Sequence, residues 1–127
     1  AYRRFLFVFV AVFCATAFNQ TCSLACEVPG VDQGKKEQAF CGSYEVFEDR
    51  AAKSGRKIPI KIVVFAATGP DKAKDPFLYI PGGPGSSATE DAPYVAKDFS
   101  KIRERRDMVF IDQRGTGGSN LLFCKFF

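Results

Sequence analysis

Two glycine-bearing loops hold the residues of this chain whose types and spacing could do chemistry. The first, Pro81-Gly82-Gly83-Pro84-Gly85, follows the apolar run Phe77-Leu78-Tyr79-Ile80. Its prolines donate no backbone N–H, and its glycines accept positive φ or the close approach of another group. Backbone N–H groups exposed at a strand end can donate to an oxyanion, a large electrostatic contribution in acyl transfer. Pro84 has no N–H, so the donor must come from Gly82, Gly83 or a residue beyond Pro84. Gly83, with a proline behind it to fix the turn, is the first choice. The same five residues would also suit a tight strand-to-helix turn in which glycine serves shape alone. The second loop, Asp112-Gln113-Arg114-Gly115-Thr116-Gly117-Gly118-Ser119, begins where the run Met108-Val109-Phe110-Ile111 ends. An acid and a base at the mouth of a sheet can pair and brace adjacent loops.

The other parts of an acyl-transfer site are missing from these residues. The chain contains no histidine, the usual general base of such sites. The elbow pattern G-x-S-x-G occurs only as near misses, at Gly85-Ser86-Ser87-Ala88-Thr89 and Gly117-Gly118-Ser119-Asn120-Leu121, each lacking the final glycine. Ser86 and Ser87 are better read as helix caps, and Ser87 with Glu90 stands in capping-box spacing. A nucleotide-phosphate loop is disfavoured. GTGGSN lacks the third glycine of G-x-G-x-x-G, follows Asp-Gln-Arg rather than a bare strand, and no G-x-x-x-x-G-K-[ST] is present. No tight cysteine and histidine pattern suggests zinc, so no metal and no cofactor is expected.

The elements around the loops read as a parallel unit. Residues 77–80 form a short strand. Ala92, Val95, Ala96, Phe99 and Ile102 then recur at helical spacing, with the charged residues mostly on the other face. Pro93 suits a first helical turn, which offers a start near Asp91 as an alternative to a cap at Ser87. The continuous run 108–111 predicts a strand buried on both faces, as in parallel sheets. A strand–helix–strand unit of this kind is a βαβ crossover, with ligand loops at the carboxyl ends of its strands. Upstream, residues 44–48 alternate, residues 49–56 read as a polar turn, and residues 57–66 as a second strand. Pro59 near the start of that strand suggests an edge position. The expectation is an α/β fold: an antiparallel hairpin leading into a parallel βαβ unit. Residues 27–43 are polar and read as an exposed lead-in.

Length and composition set the remaining bounds. The chain has 127 residues, enough for one domain at most, with 46% hydrophobic and 25% charged residues, a globular composition. Arg3-Arg4, the apolar run 5–13 and Ala15-Thr16-Ala17 read as a signal peptide over residues 1–17, too short for a comfortable bilayer span. No stable membrane span is expected once that segment is cleaved; retention of the segment would leave the protein membrane-associated. The net charge is +4, and without Arg3 and Arg4 the balance is 16 basic against 14 acidic residues. That gives no electrostatic case for nucleic acid. Export makes the compartment oxidising, secreted or periplasmic, and leaves Cys22, Cys26, Cys41 and Cys124 as disulfide candidates. Four cysteines allow three pairings that sequence does not separate. The weak preference is for a tie from Cys22 or Cys26 and one involving Cys41 or Cys124. Asn19-Gln20-Thr21 matches the glycosylation acceptor pattern.

LYIPGGPGSS, followed about thirty residues later by RDMVFIDQRGTGGSNLLFC, resembles the N-terminal third of an α/β-hydrolase. The nearest group is the secreted proline-iminopeptidase and tripeptidyl-aminopeptidase-like serine peptidases. The likeness runs roughly from Cys41 to Cys124 and includes the Glu45-Val-Phe-Glu-Asp-Arg-Ala51 segment. It implies that Gly83, flanked by Gly82, belongs to an oxyanion loop, and that Asp112, Arg114, Gly115 and Gly117 form a bracing turn. It implies a peptide or small ester or amide substrate. Pro81 stands where many members carry histidine, which leaves that side chain's role without a counterpart here. The likeness also implies that the serine, its acidic partner, the histidine and a cap domain lie beyond residue 127. The chain is then an N-terminal fragment, residues 44–127 being an incomplete hydrolase domain after an exported lead-in at 18–43. Alone it is expected to be inactive. Alternatives are an esterase on the same fold, and a small secreted, disulfide-tied binding domain in which both glycine loops are only turns.

Overall fold

In a computed structural model, residues 24–32 and 34–123 are described; the segment read as a signal peptide, the acceptor pattern at Asn19, Cys22 and Cys124 lie outside them. Five strands, β1 (Leu24–Pro29), β2 (Lys36–Phe47), β3 (Lys57–Phe65), β4 (Phe77–Tyr79) and β5 (Met108–Ile111), form one mixed sheet in the order β1-β2-β3-β5-β4. β1, β2, β3 and β5 pair antiparallel in succession, and β4 pairs parallel with β5. Between β4 and β5 run α1 (Ala88–Asp98) and a short turn of helix, α2 (Ser100–Arg103). The mixed α/β character follows, with a β2–β3 hairpin leading into the β4-α1-β5 unit.

The lead-in is the main correction. Residues 27–43 are not an exposed approach to the sheet: they supply the second half of β1 and the first two-thirds of β2, and residues 44–47 are only the end of that longer strand. β1 pairs with β2 alone and lies at the sheet edge, so its residues are exposed or half-buried. The two strands turn through Gly34 at φ 81, with Gly30 N donating to Lys35 O at 2.8 Å.

Pro59 gives the second correction, because β3 lies between β2 and β5. β5 reaches only from Ile62 to Phe65. Lys61 N points toward the β5 side, where it meets Ser119 Oγ. Pro59, two residues earlier, directs its nitrogen the same way, past the end of β5. Its missing donor therefore breaks no ladder bond.

The helical pattern read across 92–102 is interrupted. α1 starts at Ala88 with Ser87 as its cap, and it stops at Phe99 before α2 begins. Pro93 consequently sits inside α1 rather than in its first turn.

The core lies on one face of the sheet, beneath α1. Val63, Phe65, Met108 and Phe110 are at 0–1% exposure and meet Ala88, Ala92, Val95 and Ala96 of the helix. Small helix residues let α1 approach the large strand side chains closely, and Phe65 and Phe110 pack edge to face at 5.9 Å. The expectation that β5 is buried on both faces holds for one: Met108 and Phe110 are enclosed, while Val109 and Ile111 on the far face are half-buried. On the same face as the core, Cys26 and Cys41 form a disulfide between β1 and β2, with Cα atoms 5.8 Å apart. No helix among the described residues is long and apolar enough to cross a membrane.

Candidate functional site

Because β4 and β5 are parallel neighbours, with Tyr79 opposite Phe110, both glycine loops leave the same end of the sheet. The first passes from β4 through residues 80–87 into α1, and the second leaves β5 at Asp112. α1 therefore begins beside the second loop, and polar side chains from the two meet there.

Asp112 is the centre of that meeting. It is fully buried, yet its carboxylate accepts four hydrogen bonds. Oδ1 receives Ser87 Oγ and Thr89 N, each at 2.9 Å. Oδ2 receives Thr89 Oγ1 and Gly118 N, each at 2.8 Å. Burial alone would raise the carboxyl's pKa. The donors from Thr89 N, Gly118 N, Thr89 Oγ1 and Ser87 Oγ outweigh it and hold the group below its ordinary value. Ser87 Oγ in turn accepts Glu90 N at 3.2 Å, so one hydroxyl caps α1 and anchors the acid.

Gly117 is required by this packing. Its φ is 44, and a Cβ there would overlap Asp112 Oδ2 and lie 2.5 Å from Ser87 Oγ. Ser119 completes the second loop: fully buried, it accepts Lys61 N at 2.8 Å, while Asp112 N donates to Lys61 O at 3.1 Å. Gly115 N donates to Ser119 O at 2.8 Å and closes the loop on itself. The loop is thus pinned to α1 by the Asp112 side chain and to β3 by the Ser119 hydroxyl and the Asp112 backbone.

Arg114 does not pair with Asp112. Its Nη1 donates to the Glu48 carbonyl at 3.1 Å and ties the second loop to the end of β2 instead. The two residues brace in different directions, because four closer donors already fill the Asp112 carboxylate.

The first loop is exposed from Gly82 to Ser86. The N–H groups of Gly82, Gly83 and Gly85 find no acceptor among the described residues, while the turn over residues 83–85 engages Ser86 N. Gly83 has φ 138, and a Cβ on it would lie 2.9 Å from Gly85 N and 3.2 Å from both Ser86 N and Ser86 Oγ. The position a side chain would fill is therefore lined by two consecutive backbone nitrogens and a hydroxyl. Successive amides in such a turn can hold a small anion or a developing oxyanion. Gly82 has open space around it.

Sequence reasoning placed Gly82, Gly83, Asp112, Arg114, Gly115 and Gly117 on these two loops, and the structure brings the loops together at the end of the β4–β5 pair. It did not find Thr89, Gly118 or Ser119 as partners of the network, and it read Ser87 as a cap alone. Ser87 carried a local signal in its spacing to Glu90. The bonds to Asp112 span 23 and 25 residues and carried none. Of the cysteine candidates, Cys26 and Cys41 are joined to each other. No group of three or more His, Cys, Asp or Glu among the described residues could hold a metal ion. The chain matches no protein-family profile and no curated protein.

Proposed function

We propose that these residues form the oxyanion-loop portion of an exported serine hydrolase that cleaves residues from the N-termini of peptides through an acyl-enzyme. The observation that carries this is the set of backbone N–H groups at Gly82, Gly83 and Gly85, without acceptors among the described residues, beside the carboxyl ends of β4 and β5. In the reaction a serine oxygen adds to the scissile carbonyl carbon, and the carbonyl oxygen becomes the oxyanion that Gly83 N–H or its neighbours would receive. The leaving amine departs with a proton from an imidazolium, and water then releases the acyl group. The nucleophile, the acid and the histidine are supplied from outside these 127 residues, since the chain holds no histidine. Ser87 does not serve as nucleophile: its hydroxyl is buried and its proton is engaged by Asp112. The Cys26–Cys41 disulfide supports an oxidising, secreted or periplasmic location. An esterase would use the same donors, and substrate choice rests on residues beyond this region.

The gene sequence beyond the Phe127 codon tests this reading. A G-x-S-x-G elbow followed in order by an acid and a histidine is expected. An open frame without them would remove the hydrolase. A second reading, a disulfide-tied exported binding domain, is favoured by the Cys26–Cys41 bond.

A further inference from the structure

Ser86 and Ser87 are chain neighbours with different surroundings. Ser87 Oγ is buried, donates to Asp112 Oδ1 and accepts Glu90 N. Ser86 is exposed, and its hydroxyl has no hydrogen-bond partner among the described residues. The capping role read for both serines therefore belongs to Ser87 alone.

The Ser86 hydroxyl is nonetheless held at a defined place. Its Oγ lies 3.2 Å from the point that a Gly83 Cβ would take, and Gly85 N lies 2.9 Å from the same point. The hydroxyl and the amide thus border one opening, on the side of Gly83 that any other residue would fill. Residue 86 has little freedom to leave it. The turn over residues 83–85 engages its N–H, and the next residue is anchored to Asp112. A serine oxygen has only the staggered positions of one torsion open to it, so a fixed backbone confines it. A donor placed before the reaction begins needs no reorganisation as charge develops.

We infer that Ser86 Oγ is a side-chain donor to the oxyanion, beside the backbone N–H groups of the first glycine loop, and so a catalytic residue distinct from the nucleophile. The inference rests on the hydrolase reading above. When the nucleophile's oxygen bonds to the scissile carbon, the carbonyl π pair moves onto the carbonyl oxygen and the nucleophile's proton passes to the histidine. Ser86 keeps its own proton and directs it at the new negative charge. In the bound substrate the same oxygen is neutral and a weaker acceptor. The bond therefore strengthens toward the transition state and acts on kcat more than on KM.

The test compares the full product of the gene with its Ser86→Ala and Ser86→Thr variants, by turnover of an unblocked peptide, fluorophosphonate labelling and thermal unfolding. Ser86→Ala should lower kcat about 100-fold, the scale of one lost oxyanion donor. KM should stay within about twofold, and the unfolding temperature should not move, because the hydroxyl bonds nothing among the described residues. Ser86→Thr, which keeps a hydroxyl, should retain most of the turnover. Unchanged kcat in Ser86→Ala, when the natural product labels and turns over, would overturn this inference and leave the hydrolase standing. A loss of turnover that follows a fall in unfolding temperature, or that threonine does not restore, would do the same. A natural product that neither labels nor hydrolyses would overturn the hydrolase reading and this inference with it.

Discussion

Thr89 Oγ1 donates to Asp112 Oδ2 at 2.8 Å, joining the first turn of α1 to the residue that ends β5. With Ser87 Oγ and Thr89 N on the other carboxylate oxygen, the bond fixes where the first glycine loop must finish. The second loop begins at that same acid. One buried carboxylate thereby sets the relative position of both loops, and any anion held by the first loop depends on it.

Removing the carboxylate should be costly. Asp112→Ala leaves Ser87, Thr89 and Gly118 donors buried without an acceptor, and a loss of about 3 kcal/mol is expected in urea unfolding. Asp112→Asn keeps the shape but offers an NH2 where donors converge, and should lose about 2 kcal/mol.

The same carboxylate gives a signed pH dependence. Its folded pKa is lowered despite burial, because four hydrogen bonds favour the ionised form. Its contribution to stability is therefore fully present above the unfolded-state value of about 4 and is lost as pH falls through the folded value. The stability gap between the natural chain and Asp112→Asn should stay constant at neutral pH and shrink below about pH 4. Denaturation curves across that range check it.

A pair of glycine substitutions separates backbone strain from steric overlap. Gly55 has φ 84 with nothing within 4 Å of a Cβ, whereas a Cβ on Gly117 would collide with Asp112 and Ser87. Gly55→Ala should cost about 1 kcal/mol from its left-handed backbone. Gly117→Ala should cost about 2 kcal/mol beyond that, and thermal unfolding of the two variants compares them directly.

The elements legible in the sequence were those with local signals. The continuous run at β5, the helical spacing of Ala92, Val95 and Ala96, and the glycine and proline punctuation gave the β4-α1-β5 unit without help from tertiary contacts. β1 was missed because it is a short edge strand whose residues are all exposed or half-buried, and the alternation of Leu24, Cys26 and Val28 is too brief to stand out. Pro59 misled because a proline reports only its own nitrogen: β3 is interior where β5 pairs with it and open where Pro59 stands. Asp112 and Arg114 read as an acid and a base that can pair at the mouth of the sheet. Thr89 and Ser87, 23 and 25 residues away, take the acid instead.

β1 is held to the sheet by its ladder with β2 and by the Cys26–Cys41 bond, which spans 15 residues. Reducing that bond should cost about 3 kcal/mol of stability in the chain-entropy account. Amide hydrogen exchange should rise first at residues 24–29, before the β3–β5 core responds.

The most direct test of the proposed hydrolase uses the full product of the gene, incubated with a fluorophosphonate probe and with matched peptides bearing free or acetylated N-termini. The account predicts labelling of one serine outside residues 1–127 and hydrolysis of the free-amine peptide in preference to the acetylated one. Labelling at Ser86 or Ser87, or a folded product that neither labels nor hydrolyses any peptide or ester, would contradict it.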